Sequence, residues 1–154
     1  MGLAKIIGWG IVVAGIAIQF IRPARNSSGQ VLPTEISNCF PIPAKVQALL
    51  KTACYDCHSN NTAYPWYANV EPIGWMLNNH IQKGKKELNF SEFGSYSMRR
   101  KLSKLKSIAS QIRDNEMPLS SYTLIHKNAM LTKEDKTLII SWVQQSIDSC
   151  TSKK

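Results

Sequence analysis

The pentapeptide Cys54-Tyr55-Asp56-Cys57-His58 constrains this chain more than any other stretch of it. Two thiols three positions apart near a helix start, followed at once by a histidine, match the C-x-x-C-H spacing of haem c attachment. That spacing lets each sulfur form a thioether to one vinyl group of a single haem, while the adjacent imidazole lies under the iron and donates a nitrogen. Two other readings of the same residues stay open on spacing alone. A C-x-x-C dithiol oxidoreductase wants a βαβ context. A structural zinc site needs four ligands; Cys54, Cys57 and either His80 or His126 supply three, and no second closely spaced pair is present.

The amino-terminal segment differs in composition from the rest. From Leu3 to Ile21 the chain is apolar with Lys5 as its only charge. Nineteen helical residues rise roughly 28 Å, close to the thickness of a hydrocarbon core. Gln19-Phe20-Ile21-Arg22-Pro23 offers none of the small residues that a cleavage site wants, so residues 1–25 read as a retained membrane anchor rather than a removed signal. The run has no polar face, which argues against a buried core helix. Lys5 stands at one end and Arg22 and Arg25 at the other, so the positive-inside rule does not orient it. Covalent haem attachment in bacteria takes place outside the cytoplasm. The expected placement is therefore a single pass through the cytoplasmic (inner) membrane with the haem domain on the periplasmic side. Residues 26–42, rich in Ser, Asn, Pro and Gly, read as a linker; 43–150 read as the haem domain and 151–154 as a basic tail.

Within 43–150 the apolar spacing is helical throughout. Pro43 precedes a stripe of Val46, Leu49, Leu50 and Ala53 that runs into Cys54. A second helix starts near Glu71-Pro72 and carries Ile73, Met76, Leu77, His80, Ile81 and Gly84 on one face. Met98, Leu102, Leu105, Ala109 and Ile112 mark a third. Thr132 with Asp135 predicts a capping box ahead of a last helix striped by Leu138, Ile139, Trp142, Val143 and Ile147. No strand alternation and no repeat is visible. With 154 residues, 44% hydrophobic and 19% charged, neither disorder nor a multi-span protein fits. The prediction is an all-α, cytochrome c-like domain of about four main helices around one covalently attached haem, with loops at 59–70 and 115–131.

A haem iron held by His58 needs a sixth ligand or an open face. Met117, in Glu116-Met117-Pro118-Leu119, follows one helix and precedes another, so it sits on a loop able to approach the iron from the opposite side. Thioether coordination favours ferrous iron and raises the reduction potential. His80, on an apolar helix face, and His126, in a polar loop, are the histidine alternatives; Met76, Met98 and Met130 complete the candidates. Tyr55, Tyr64, Trp66, Tyr67 and Trp75 crowd the segment after the motif, and Trp66 and Trp75 are the expected pocket walls. A carbonyl near Pro65 or Pro72 is expected to hold the His58 ring. Cys39 and Cys150 bracket the domain; an oxidising compartment permits a disulfide between them, and free thiols or pairing of Cys39 between chains stay open as alternatives.

Nineteen Lys and Arg against ten Asp and Glu give a net charge of +9. Nine of the basic residues lie between Lys83 and Arg113, against Glu87 and Glu92 alone. This suits an acidic redox partner or anionic headgroups, or it is a solvated helix face. Nucleic acid does not fit a haem domain outside the cytoplasm.

The stretch CYDCHSNNTAYPWYANVEPIGWMLNNHIQKGKKELNF, with MPLSSYTLIHKNAMLT and LIISW further on, resembles the small haem-binding domain family of single-haem c-type cytochromes. The likeness runs from about Ala44 to Trp142. The Lys-rich third helix and the tail from Ser149 lie outside its recognisable part. It implies thioether links at Cys54 and Cys57, axial His58, and Met117 as distal ligand, in domains usually exported or tethered to a membrane. The function expected is one-electron transfer by a membrane-anchored monohaem cytochrome that binds haem c and a redox partner protein. A haem sensor with an open or displaceable sixth site is the alternative. Nothing resembling a nucleophile–base pair accompanies the motif, so an enzyme is not expected, and a peroxidase-like one lacks a distal acid/base pair.

Overall fold

The computed structural model describes residues 2–152. Among these the chain is entirely helical, with a single isolated bridge between Ser27 and Asn61 and no strand. Eight α-helices follow in order: α1 (Leu3–Ala17), α2 (Ile36–Cys39), α3 (Ala44–Ala53), α4 (Tyr55–His58), α5 (Ile73–Glu87), α6 (Met98–Arg113), α7 (Ser120–Ile125) and α8 (Lys133–Thr151). The four main helices expected from periodicity are α3, α5, α6 and α8. The expected loops at 59–70 and 115–131 hold short helical turns as well, including 3₁₀ turns at Trp66–Asn69 and Lys127–Ala129. Such turns are too short to show an apolar stripe.

Leu3–Phe20, α1 and the 3₁₀ turn after it, is long and apolar enough to cross a membrane, and none of it is buried in the protein. The domain packs around a core of its own. α6 and α8 make its most extensive helix pair, and α3 crosses α8. Leu50, Leu105, Ile108, Ile112, Ile139, Trp142 and Val143 meet in one core, with the Trp142 indole donating to the Pro41 carbonyl at 3.1 Å. Ser97 caps α6, and Thr132 with Asp135 forms the capping box of α8.

Residues 26–42 are not a free tether. Ile36 is fully buried and Phe40 nearly so, both in the main core. Thr34 bonds residues on the 3₁₀ turn Phe90–Ser95: its carbonyl accepts from Gly94 N at 2.7 Å and its hydroxyl donates to Ser91 O at 2.8 Å. Asn26, also buried, donates to Ser59 O and Thr62 Oγ1 and accepts from Lys85 Nζ. Composition misleads here because isolated apolar residues in a polar segment anchor it without any periodic signal. Cys39 and Cys150 are separate, half-buried thiols against this core, without a disulfide between them.

Candidate functional site

α3 stops at Ala53 because Cys54 leaves helical geometry, with φ −130° and ψ −40°. The Cys54 carbonyl then accepts from both Cys57 N (3.2 Å) and His58 N (2.9 Å), winding 55–58 into the single turn α4. Both thiols and the imidazole are thus carried by one short, tightly closed segment. Asp56, between the cysteines, holds that segment in place. Its carboxylate accepts from Ala63 N at 3.0 Å and from the Tyr122 hydroxyl at 2.7 Å, and its carbonyl accepts from Thr62 Oγ1 at 2.6 Å.

α5 lies directly on α4, and Gly84 makes this possible: a Cβ there would stand 2.6 Å from the Cys57 carbonyl oxygen. The chain leaving α5 brings Leu88 O to 3.0 Å from His58 Nδ1. A carbonyl only accepts, so Nδ1 carries the hydrogen and Nε2 keeps its lone pair for a ligand. The acceptor is therefore Leu88, not a carbonyl near Pro65 or Pro72. Burial lowers the His58 pKa, opposed by its backbone hydrogen bonds, which favours the neutral imidazole that a metal takes.

Two adjoining cavities of about 280 and 360 Å³ open beside the motif. Ala53, Cys54, His58, Glu87, Met117 and Pro118 line both, so they form one cleft. Leu88, Phe90, Ile108 and Ile112 wall one part; Cys57, His80, Leu119 and Tyr122 wall the other. Phe90 is buried, stacks on Tyr55 at 5.0 Å and meets the His58 ring edge-on at 6.2 Å. The Tyr55 hydroxyl in turn donates to Glu35, itself buried, at 2.6 Å.

Met117 reaches the cleft through the turn after α6. Asn115 adopts the left-handed conformation at φ 60°, and the amides of Glu116 and Met117 then fold back onto the Gln111 carbonyl. Asparagine tolerates that conformation better than most residues.

Met117 thus joins Cys54, Cys57 and His58 at one cleft, as expected. The histidine alternatives separate. His80 lines the cleft beside Cys57, whereas His126 shares a 2.6 Å hydrogen bond with the Tyr67 hydroxyl, stacks on Tyr122 and lines neither cavity. Met76, Met98 and Met130 are exposed and line neither. The expected aromatic walls also differ. Trp66 is 79% exposed, and Trp75 donates its indole hydrogen to Ile21 O at 2.7 Å; neither lines the cleft. Phe90 and Tyr122 stand there instead. Phe90 follows the charged end of α5 and Tyr122 lies on a six-residue helix, so neither is marked by motif spacing.

Burial raises the Cys54 thiol to about 12 and the Cys57 thiol to about 11. Dithiol oxidoreductases depend on the opposite shift, so the redox-dithiol reading loses support. Among the described residues no cluster of three or more His, Cys, Asp or Glu side chains is arranged to hold a metal ion, as the zinc reading requires. What remains is two uncharged thiols and one imidazole nitrogen on a single turn, facing an apolar cleft with a thioether on its rim. A family model described as a haem-binding domain matches residues 13–145. No curated protein and no solved structure matches the chain. The matched span runs from the second half of α1 through the packed 26–42 segment and the motif into α8, and on that evidence this chain belongs to the haem-binding domain family.

Proposed function

We propose that the chain is a membrane-anchored, monohaem c-type cytochrome that carries single electrons. In this reading Cys54 and Cys57 form the thioether links, His58 supplies the proximal nitrogen and Met117 the distal sulfur. The bound group supplies a one-electron iron couple, and the protein sets its potential through ligands and burial. The observation that carries the reading is the convergence on one cleft of both motif cysteines, a histidine with Nε2 free, and Met117 from a separate element.

The surrounding residues have defined tasks. Leu88 O fixes the tautomer and plane of His58. Asp56, held by Ala63 and Tyr122, keeps the turn between the cysteines from unwinding. Phe90, Ile108 and Ile112 exclude water from one side of the cleft. Lys83 and Lys104 stand at its edge, continuous with the basic face of α6, and this is where an acidic redox partner docks. α1 anchors the domain on the outer side of the cytoplasmic membrane.

Expression with a covalent haem attachment system tests the reading. The denatured protein is expected to retain its colour and to exceed the polypeptide mass by one haem. The oxidised protein is expected to show a weak long-wavelength sulfur-to-iron charge-transfer band that Met117→Ala abolishes. A colourless product overturns the cofactor assignment. Absence of the band, with ready carbon monoxide binding by the untreated ferrous protein, replaces the electron carrier with a haem sensor.

A further inference from the structure

Trp66 and Trp75, displaced from the haem cleft, have another place in the molecule. The 3₁₀ turn Trp66–Asn69 and the first turn of α5 present Trp66, Val70, Ile73 and Met76 to solvent, at 79, 40, 45 and 61% exposure. Ile73 and Met76 are three apart on one helix and share a face. The turn and the helix start are packed as one body: a Cβ on Gly74 would lie 2.7 Å from Ala68 O and 2.8 Å from the Glu71 carboxylate.

Two further observations say what this apolar surface meets. First, it is joined to the end of α1. Gln19 donates to Glu71 O at 3.1 Å and accepts from Glu71 N at 3.0 Å, while Trp75 Nε1 bonds Ile21 O. Gln19 and Ile21 are the residues at which the apolar run leaves its helix. Second, the surface carries no exposed charge. From Ser59 to Gln82 the only Asp, Glu, Lys or Arg is Glu71, and it is buried. The cations nearby belong to the chain leaving α1. Arg22 bonds Gln19 O, and Arg25 bonds Asn69 and lies 4.5 Å over the Tyr64 ring. An uncharged apolar patch with an exposed tryptophan and flanking arginines, fixed to the end of a candidate span, has the composition of a membrane–water interface.

We propose that this face is seated in a lipid bilayer: Trp66, Val70, Ile73 and Met76 enter the interfacial layer of the same membrane that α1 crosses. The proposal rests on α1 spanning that membrane. Seating the face removes its apolar surface from water and leaves Arg22 and Arg25 at its edge, where headgroups meet them. The domain then lies against the bilayer instead of swinging on a tether, with the basic side of α5 and α6 remaining in water.

The four tryptophans provide the test. Full-length, haem-loaded, ferrous protein labelled with 5-fluorotryptophan is placed in phosphatidylcholine nanodiscs, and its resonances are assigned by single Trp→Phe changes. Relaxation is compared between lipid nitroxides carried high on the acyl chain and a water-soluble nitroxide. Trp9 in α1 reports the span, and buried Trp142 is the unresponsive control. Broadening of both Trp9 and Trp66 by lipid nitroxide, larger for Trp66 than its broadening by the aqueous agent, is the expected result. If Trp9 responds to lipid but Trp66 only to the aqueous agent, the face looks into water or toward a protein and the proposal fails with the anchor intact. If neither responds to lipid, anchor and proposal fall together. A lipid response at Trp66 without one at Trp9 removes the span and overturns the proposal, because the face then meets lipid without α1 crossing it.

Discussion

Gly84→Ala is the sharpest single test of how the attachment segment is held. The added carbon would lie 2.6 Å from the Cys57 carbonyl oxygen and 3.2 Å from the Cys57 carbonyl carbon and Cβ. Ordinary carbon contacts begin near 3.4 Å, so α5 and α4 must part by roughly 0.8 Å. The obstacle is backbone, which cannot rotate aside. Overpacking of this kind costs about 1–3 kcal/mol, and the upper half of that range applies to a helix pressed on a closed turn. Alanine returns about 1 kcal/mol over glycine through helix propensity. The net loss is about 1–2 kcal/mol, a fall in melting temperature of about 4–8 °C for a domain of this size. The shift also moves Leu88, one residue past α5, so the His58 hydrogen bond lengthens and the reduction potential changes. Thermal denaturation of the haem-loaded variant measures the first effect and redox titration the second. Gln82→Ala on the exposed side of α5 serves as the control. A Gly84→Ala protein that melts at or above the wild type would refute the close packing of α5 on the motif.

Other changes separate the remaining supports. Asn115→Val forces a β-branched residue into the left-handed region at φ 60° and is expected to cost about 1–2 kcal/mol by chemical denaturation, while Asn115→Gly is tolerated. Phe90→Ala removes a buried ring between Tyr55 and His58 and is expected to cost about 3–5 kcal/mol, with an altered haem spectrum. Thr132→Ala removes the hydroxyl that, ahead of the Thr132 amide and Lys45, holds the Asp135 carboxyl below its ordinary value of 3.8. A carboxylate depressed by folding stabilises the native state above 3.8 and loses that contribution as pH falls through its folded value. The variant should therefore be less stable than wild type at neutral pH, and the gap between their melting curves should narrow in strong acid without closing, because the cap of the Thr132 hydroxyl on Asp135 N does not titrate.

The long helices of the domain are legible because each spans nearly three turns or more and buries one stripe; α3, α5, α6 and α8 all carry such a stripe. That Cys54, Cys57 and His58 meet at one turn is legible because all three fall within five consecutive residues. That Met117 reaches the same cleft is legible because it sits on a loop between two helices. Other features left no such trace. Leu88 acts through its carbonyl, and any residue type supplies one. Ile36 and Phe40 enter the core from a segment with no period, so the segment read as linker. Trp66 and Trp75 were misplaced for a different reason: aromatic composition signals an apolar environment without saying whether it is a cleft or a membrane surface. Their bonds and exposure place them outside the cleft.

α5 connects these findings. Its first turn is joined to the end of α1 through Glu71 and Trp75, and its last turn holds Gly84 against Cys57 and leads to the carbonyl that orients His58. Fifteen helical residues span about 22 Å. The same rod therefore sets the distance from the proposed membrane surface to His58, the proposed haem ligand, and the angle at which His58 is presented. A flexible tether would let the cleft sample every approach to a partner, whereas a rod fixed at both ends restricts it to one face. The basic residues of α6 and the end of α5 are clustered rather than spread around the domain. A clustered charge favours encounter through the face that carries it. If the face is seated as proposed and the chain carries electrons, loosening the α1–α5 junction should slow electron exchange with an acidic partner without changing the haem spectrum.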